Sequence, residues 1–329
     1  MMMKKIGNYV LFAPQVLTLM VLSLPFMLSC GDDSERASNP YQGSTAVYFA
    51  HQNPVRTLKL GNDIYDNSLD NAHKCRIQAA VGGAYNGRDA VVDFVVDPSL
   101  CENLWFVDER GNPSHAVTPM PTSYYQLLGN TIPFNGDTSG YVEVQFTDAF
   151  FNDPKSVDKT YVIPLRMTGV NGIDRILTGT PREGIIPVRT NPEDWDALPM
   201  DYVLYCVKYI NPWHGTYYRR GVDKVTENGV TKEYVRKDFT LAKFNLDPSR
   251  YGESPVSDRD EICSITTKNM TQAIFPVSFG IPSGLISCNL ILTFNDNTCT
   301  ISTNDEQVTA TGNGELIAKG AERPEYREY

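Results

Sequence analysis

The chain is written in short runs of β-branched and aromatic residues, each stopped by glycine, asparagine or proline before a helical period can build. In the first half the runs fall at residues 46–50, 56–60, 75–79, 90–96, 140–146 and 159–167. Turn residues separate them at Gly82-Gly83, Asn86-Gly87, Asp97-Pro98, Gly111-Asn112-Pro113, Asn135-Gly136-Asp137 and Asn171-Gly172. Strands of this length with such punctuation build a sandwich of immunoglobulin type rather than a helical or α/β fold. Within residues 141–146, Tyr141, Glu143 and Gln145 share one face and Val142, Val144 and Phe146 the other. One face is therefore core and the other wet.

The second half reads as an antiparallel meander. Residues 202–210 form a run, and a strand then begins at Trp213-His214-Gly215-Thr216-Tyr217. Asn228-Gly229 reverses a hairpin whose return strand spans 232–245. Further runs follow at 261–268, 272–279, 286–294, 299–303 and 307–318. Seven or eight sequential strands with short turns suggest a barrel that closes to remove its edges. The segment resembles a lipocalin-like barrel, in which a Gly-Thr-Tyr start recurs. The final residues, 322–329, are charged and offer little to bury. Either the barrel is open or its closing strand comes from elsewhere. All-β architecture is thus expected throughout: a sandwich over 45–188, a linker over 189–200 holding two prolines and three acids, and a barrel or half-barrel over 201–329. Trp195 in the linker is expected to cover the edge of a core.

Residues 1–29 carry Lys4 and Lys5 as their only charges, then an apolar run ending at Ser29-Cys30. This is the layout of a secretory signal, and Pro14, Gln15 and Pro25 interrupt what a transmembrane helix would need. Cys30 stands where a lipoprotein signal places its acylated thiol, although Met27 is an atypical residue three positions earlier. The following acidic segment, 30–44, reads as a flexible tether and resembles the export tag of surface-displayed Bacteroidetes lipoproteins. An outer-membrane lipid anchor facing the exterior is the expectation.

Four stretches carry a wider resemblance: 92–98 (Val92-Asp93-Phe94-Val95-Val96-Asp97-Pro98), 127–134, 147–154 and 161–168. Together they resemble the N-terminal, adhesion-type domain of Bacteroidetes surface lipoproteins found beside glycan-utilisation machinery. The resemblance implies a glycan-rich neighbourhood.

Net charge is −10, and losing the two leader lysines takes it to −12. Such a chain, lacking a basic stripe, is a poor partner for nucleic acid or anionic lipid. With Cys30 acylated, Cys75, Cys101, Cys206, Cys263, Cys288 and Cys299 remain. No two form a C-x-x-C pair, and their apolar neighbours mark buried free thiols. Cys288 and Cys299 flank a turn but fall roughly 17–20 Å apart along the hairpin, which argues against a bridge between them.

Templates for chemistry fail. No zinc-protease, nucleophile-elbow, phosphate-loop or dinucleotide fingerprint is present, and His51, His73, His115 and His214 have no metal-ligand spacing. No cofactor or metal is expected. Glycoside hydrolysis needs two carboxyls across a cleft, one kept protonated by an apolar setting. Asp93 and Glu143 alone lie within apolar runs, and both fall on the polar phase of their strands. A calcium loop from Asp247, Asp258, Asp260 and Glu261 lacks EF-hand spacing.

Binding asks for less: an aromatic platform with a polar rim suits a sugar. The densest candidate is Trp213, His214, Tyr217, Tyr218, Arg219 and Arg220, with Arg250 and Tyr251 in a loop that could approach. The competing reading has Trp213 and one tyrosine filling the barrel end. The expected function is recognition of an extracellular glycan or glycoprotein without catalysis. The alternatives are a structural subunit beside an outer-membrane transporter or surface glycan-binding proteins, and, last, a glycoside hydrolase.

Overall fold

A computed structural model describes residues 2–6, 44–83, 86–220, 222–235, 261–281 and 284–317. The strands of its first half are β1 (Met2–Ile6), β2 (Ala46–Tyr48), β3 (Val55–Lys59), β4 (Lys74–Gly82), β5 (Val91–Val96), β6 (Trp105–Val107), β7 (Pro113–Ala116), β8 (Thr118–Pro119), β9 (Tyr125–Leu127), β10 (Thr131–Pro133), β11 (Ser139–Phe146) and β12 (Tyr161–Asn171). Then come β13 (Arg175–Ile176), β14 (Thr180–Pro181), β15 (Trp195–Ala197), β16 (Tyr202–Ile210), β17 (Gly215–Arg220), β18 (Val222–Glu227), β19 (Val230–Val235), β20 (Glu261–Thr267), β21 (Gln272–Ile281), β22 (Gly284–Asn295), β23 (Thr298–Thr303) and β24 (Gly312–Glu315). The all-β expectation, a sandwich followed by a barrel-like sheet, is met.

Two sheets make the sandwich, one ordered β10-β5-β12-β16-β3 and the other β13-β2-β4-β11-β9. Their inner faces enclose Val47, Phe49, Leu58, Ile77, Val92, Ile132, Val144, Phe150, Ile163, Leu165 and Tyr209. In β11 the alternation read from sequence holds: Val142, Val144 and Phe146 are buried while Tyr141 is exposed. Glu143 on the wet face is flanked by Lys74 and Arg76 of β4.

Strand β12 breaks the alternation. Tyr161, Ile163, Leu165 and Met167 face the main core, and Val162 joins Leu100, Cys101, Tyr202, Leu204 and Cys206 on the opposite side. The turn at Pro98–Cys101 and the chain around Leu104, Phe106 and Val117 cover that outer face, so the strand is apolar on both sides.

The run 202–210 stands in this sandwich, not in the second domain where the sequence placed it. As β16 it pairs antiparallel with β12 and parallel with β3. Its side chains serve both cores, Val203, Val207 and Tyr209 inward and Leu204 and Cys206 outward, so burial on two faces selects the middle of a covered sheet. The segment 189–200 consequently folds back over the sandwich instead of bridging domains. Trp195 is buried there, its indole N–H donating to the Val188 carbonyl at 3.0 Å. Gly179, at φ +80°, allows this approach, because a Cβ would come within 2.9 Å of the indole and 2.7 Å of the Ala197 carbonyl oxygen.

The chain passes to its second sheet at Asn211-Pro212. Gly61, at φ +86°, accommodates the crossing, since a Cβ would sit 2.6 Å from Pro212. Asn211 is buried and its side-chain amide donates to the carbonyls of Asn269 and Gln272 in the β20–β21 turn. Met270 of the same turn packs against the sandwich core.

The second sheet is antiparallel with order β1-β17-β20-β21-β22-β23-β24. Its inner face buries Trp213, Tyr217, Cys263, Ile265, Ala273, Phe275, Val277, Cys288, Leu292, Phe294 and Cys299. It curls into a half-barrel, and among the described residues β1 and β24 stand at opposite edges rather than closing on each other. Strand β1 lies within the segment assigned to the leader. The hairpin β18–β19 turns at Asn228 (φ 51°) and Gly229 (φ 78°), the left-handed pair expected of Asn-Gly. The return strand runs Val230–Val235; the rest of the expected span to 245, and residues 318–329, lie outside the described residues. The six cysteines from Cys75 to Cys299 are buried, and no disulfide joins them among the described residues. Phe294 lies opposite Cys299, as the hairpin argument required. No helix among the described residues is long and apolar enough to cross a membrane.

Candidate functional site

Of the cluster read from sequence, Trp213, Tyr217 and Arg219 turn inward, and the side chains of Tyr218 and Arg220 lie outside the described residues. Trp213 lies flat on Phe294, with ring centroids 3.9 Å apart and planes within 7°. Tyr217 is 3% exposed and donates its hydroxyl to the Trp213 carbonyl at 2.8 Å. Burial pushes its phenol up to about 12. Arg219 is also buried, its guanidinium 5.2 Å from the Phe275 ring centre and 5.7 Å from that of Phe279. His214 belongs to the domain joint: its Nδ1 accepts from the Thr267 amide at 3.1 Å, and Thr267 Oγ1 accepts from the Asn211 amide at 3.0 Å. Alternation explains this inward turn, because residues 215, 217 and 219 lie opposite Ile265, Cys263 and Glu261 while Thr216 and Tyr218 lie opposite Ser264 and Ile262. Tyr251, Arg250, the aspartates at 247, 258 and 260, and Cys30 lie outside the described residues.

Trp213 and Tyr217 line an interior cavity of about 100 Å³ with Phe275, Leu290 and Phe294. That is below the roughly 300 Å³ at which small-ligand sites begin. The cavity is half open, and Asn313, Gly314 and Glu315 of the edge strand β24 line it as well.

A larger opening lies where β20 and β21 part. They pair only at Thr266↔Ile274 and Thr267↔Ala273. Continued in register, Ser264 would meet Pro276, which has no amide hydrogen to give, and the ladder ends before it. The gap forms a groove of about 600 Å³, within the range of small-ligand sites. Ile262 and Ser264 of β20, Pro276 and Ser278 of β21, and Ser287 and Asn289 of β22 line its walls, with Cys263, Val277 and Cys288 below. Asp305 lines it as well.

These groups are held in place. Ser278 and Ser287 share a hydrogen bond of 2.8 Å across β21–β22. Thr303 donates to the Asn289 carbonyl at 2.9 Å, and the Asp305 amide donates to Thr303 Oγ1 at 3.1 Å, fixing the loop that carries the carboxylate. Asp305 Oδ1 also accepts from the Gln307 amide at 2.9 Å. Three hydroxyls, a carboxamide and a carboxylate thus converge beside the apolar surfaces of Ile262 and Pro276. Nothing in the sequence flagged them, because serines and an asparagine on the wet phase of strands look like ordinary solvated residues. Tyr217 and Tyr218 are the backbone partners of groove-lining Cys263 and Ile262.

Sequence reasoning also passed over Trp105. It is 57% exposed on the β6–β7 hairpin and shares an exposed apolar face with Val107, Pro113 and Ala116.

Among the described residues, Glu143 stands as an ion-paired carboxylate. Arg76 hydrogen-bonds Glu143 and, with Lys74 nearby, holds its carboxyl below the usual range, the opposite of a protonated acid. Asp201 is raised by burial, but it is clasped by Arg189 Nη1 at 2.6 and 2.5 Å and fastens residue 189 to the sandwich. Asp305 is the one carboxylate among the described groove residues. No group of three metal-ligating side chains occurs among the described residues.

Comparison with known proteins places the chain. Residues 41–174 match a family model of N-terminal domains, and residues 212–324 match the domain of unknown function DUF5627. The second match begins one residue after Asn211, where the structure passes to its second sheet. A crystal structure of a Bacteroides ovatus protein of unknown function is 41% identical over 84% of this chain and 83% of that chain, with a TM-score of 0.72. A Bacteroides ovatus multidomain protein including DUF1735 shares 12% identity over 80% of this chain and 73% of that one, at a TM-score of 0.37. An auxiliary nutrient binding protein from Bacteroides thetaiotaomicron shares 11% over 78% and 74%, at 0.30. Superpositions at these last two scores carry no argument about function. No protein of curated function matches.

Proposed function

This chain belongs to the same family as the Bacteroides ovatus protein of unknown function, and from that premise we propose that it is a non-catalytic binding protein recognising an extracellular glycan or glycoprotein. The observation that carries the reading is the groove between β20 and β21. Its size suits a short saccharide, its hydroxyl, amide and carboxylate groups suit sugar hydroxyls, and Ile262 and Pro276 offer apolar surface to a pyranose C–H face. A single carboxylate among its described residues supports binding over glycoside hydrolysis, which needs two.

The leader at 1–29 and the cysteine at position 30 support export and lipid anchoring at the outer membrane, with the tether 30–44 holding the sandwich and half-barrel outside the cell. In this arrangement the leader takes β1 away and leaves β17 as the edge of the half-barrel, which presents the groove on the sandwich as its stand. Anchoring would raise the local concentration of captured ligand for neighbouring uptake proteins.

A second reading, a subunit docked on a transporter or on surface glycan-binding proteins, is favoured by one feature. The exposed face of Trp105, Val107, Pro113 and Ala116 is of the kind that partners cover.

The test is a glycan array of host N-glycans and mucin sugars probed with the soluble chain from Ser34 onward, repeated with Ser264→Trp. Ser264 is exposed, so the indole fills the groove without entering the core. Specific binding by the wild type, abolished in the variant, supports the reading. Absence of binding to every sugar refutes it and leaves the partner role.

A further inference from the structure

We infer that the groove selects neutral or amino sugars and rejects glycans bearing a carboxylate or sulfate at the contacting residue. The inference rests on the glycan-binding reading above and assigns its ligand class.

Charge decides it. Asp305 is the one carboxylate, and no lysine, arginine or histidine stands among the described residues lining the groove; Ser264, Ser278, Ser287 and Asn289 are neutral hydrogen-bonding groups. Lysine and arginine are the side chains that recognise a sugar carboxylate or sulfate with charge-assisted bonds, and none lines the described walls. A sialic or uronic acid seated here would bring its anion beside Asp305. Like charges set against each other work against the wrong partner. The protein's net charge of −10 adds a repulsive field in the same direction.

The fixed position of Asp305 strengthens the argument. Its backbone is tied through Thr303 to Asn289, and its Oδ1 is engaged by the Gln307 amide. The carboxylate therefore cannot swing away from an incoming anion without breaking those bonds. A hydroxyl or an ammonium group can donate to it where it stands.

The experiment compares one N-glycan before and after enzymatic removal of its sialic acids, together with glucosamine oligosaccharides, on the mature chain from Ser34. The asialo form is expected to bind at least about tenfold more tightly than the sialylated form. In Asp305→Asn the gap should narrow through stronger binding of the sialylated form. Raising salt on the wild type provides a second readout that needs no variant. Screening, with a Debye length of about 8 Å at physiological ionic strength, should raise sialylated binding and leave asialo binding unchanged. Equal or tighter binding of the sialylated glycan overturns the ligand class while leaving the groove as the site. Failure of every glycan to bind overturns the parent reading and this inference with it.

Discussion

Asn211, the residue that follows β16, donates its side-chain amide to the carbonyl of Asn269 at 2.9 Å, and the same nitrogen reaches the Gln272 carbonyl at 2.9 Å. The contact ties the last strand of the sandwich to the turn between the two strands that part to form the groove. With Met270 inserted against the sandwich core, the two domains share one fastening point. The groove is therefore carried on a fixed hinge strand, not on a free linker.

Asn211→Ala should weaken that fastening. The substitution takes the Asn211 donor from the Asn269 carbonyl, at roughly 1–3 kcal/mol for a buried group left unpaired, while the Gln272 carbonyl keeps the backbone amides of Lys268 and Asn269. Calorimetry is expected to show a lower and broader transition, because domains joined less firmly melt less cooperatively. An unchanged single transition would show that the joint is held by Met270 and Pro212 instead.

Trp213→Ala should act through stability. Removing an indole stacked on Phe294 in a closed core costs about 3–5 kcal/mol, while Trp213→Phe keeps an aromatic ring on Phe294 and costs less. Chemical denaturation of both variants measures the difference. A Trp213→Ala protein as stable as wild type would place the ring outside the core.

Stability should fall at both ends of the pH scale for stated reasons. Asp97 is held below its ordinary value of 3.8 by hydrogen bonds from Ser99 and Arg166 and by the Arg166 charge. Its folded-state pKa is depressed, so its contribution is present above about pH 4 and is lost as pH falls through the depressed value. At the alkaline end, burial raises Tyr209 and Tyr217 from 10.0 to about 12. For these the sign reverses: stability is full below pH 10 and lost as pH rises towards 12. Denaturation midpoints across pH check both limbs, and Asp97→Asn should flatten the acid limb.

The thiols should be silent until the protein unfolds. Burial raises Cys75 to about 12 and Cys101 and Cys206 to about 11, and all six described cysteines are buried. The chain from Ser34, titrated with a thiol reagent, should react slowly when native and show six equivalents when denatured. Fewer than six after denaturation would reveal a disulfide.

Much of this fold is written locally. The alternation in β11 and the Asn228-Gly229 turn follow from rules that act over two to six residues, and both stand where the sequence puts them. What escapes is pairing at a distance. The run 202–210 follows a Pro-rich segment and precedes a meander, so chain order assigns it forward; only its burial on two faces shows that it returns to lie parallel to β3. The site escapes for a related reason. Sequence reasoning weighs aromatics heavily, and Trp213 and Tyr217 go inward because strand phase and the Phe294 stack place them there. The groove is assembled instead from Ser264, Ser278, Ser287 and Asn289 on three strands, exposed by a ladder that ends before Pro276. No local pattern marks such a set.

The most direct measurement is a binding titration of the tightest array glycan against wild type, Ser264→Trp and Trp213→Phe, each first shown to be folded. Binding weakened at least about tenfold in Ser264→Trp and retained in Trp213→Phe is the expected result. Retention in Ser264→Trp with loss in Trp213→Phe would contradict the account and move the site into the half-barrel interior.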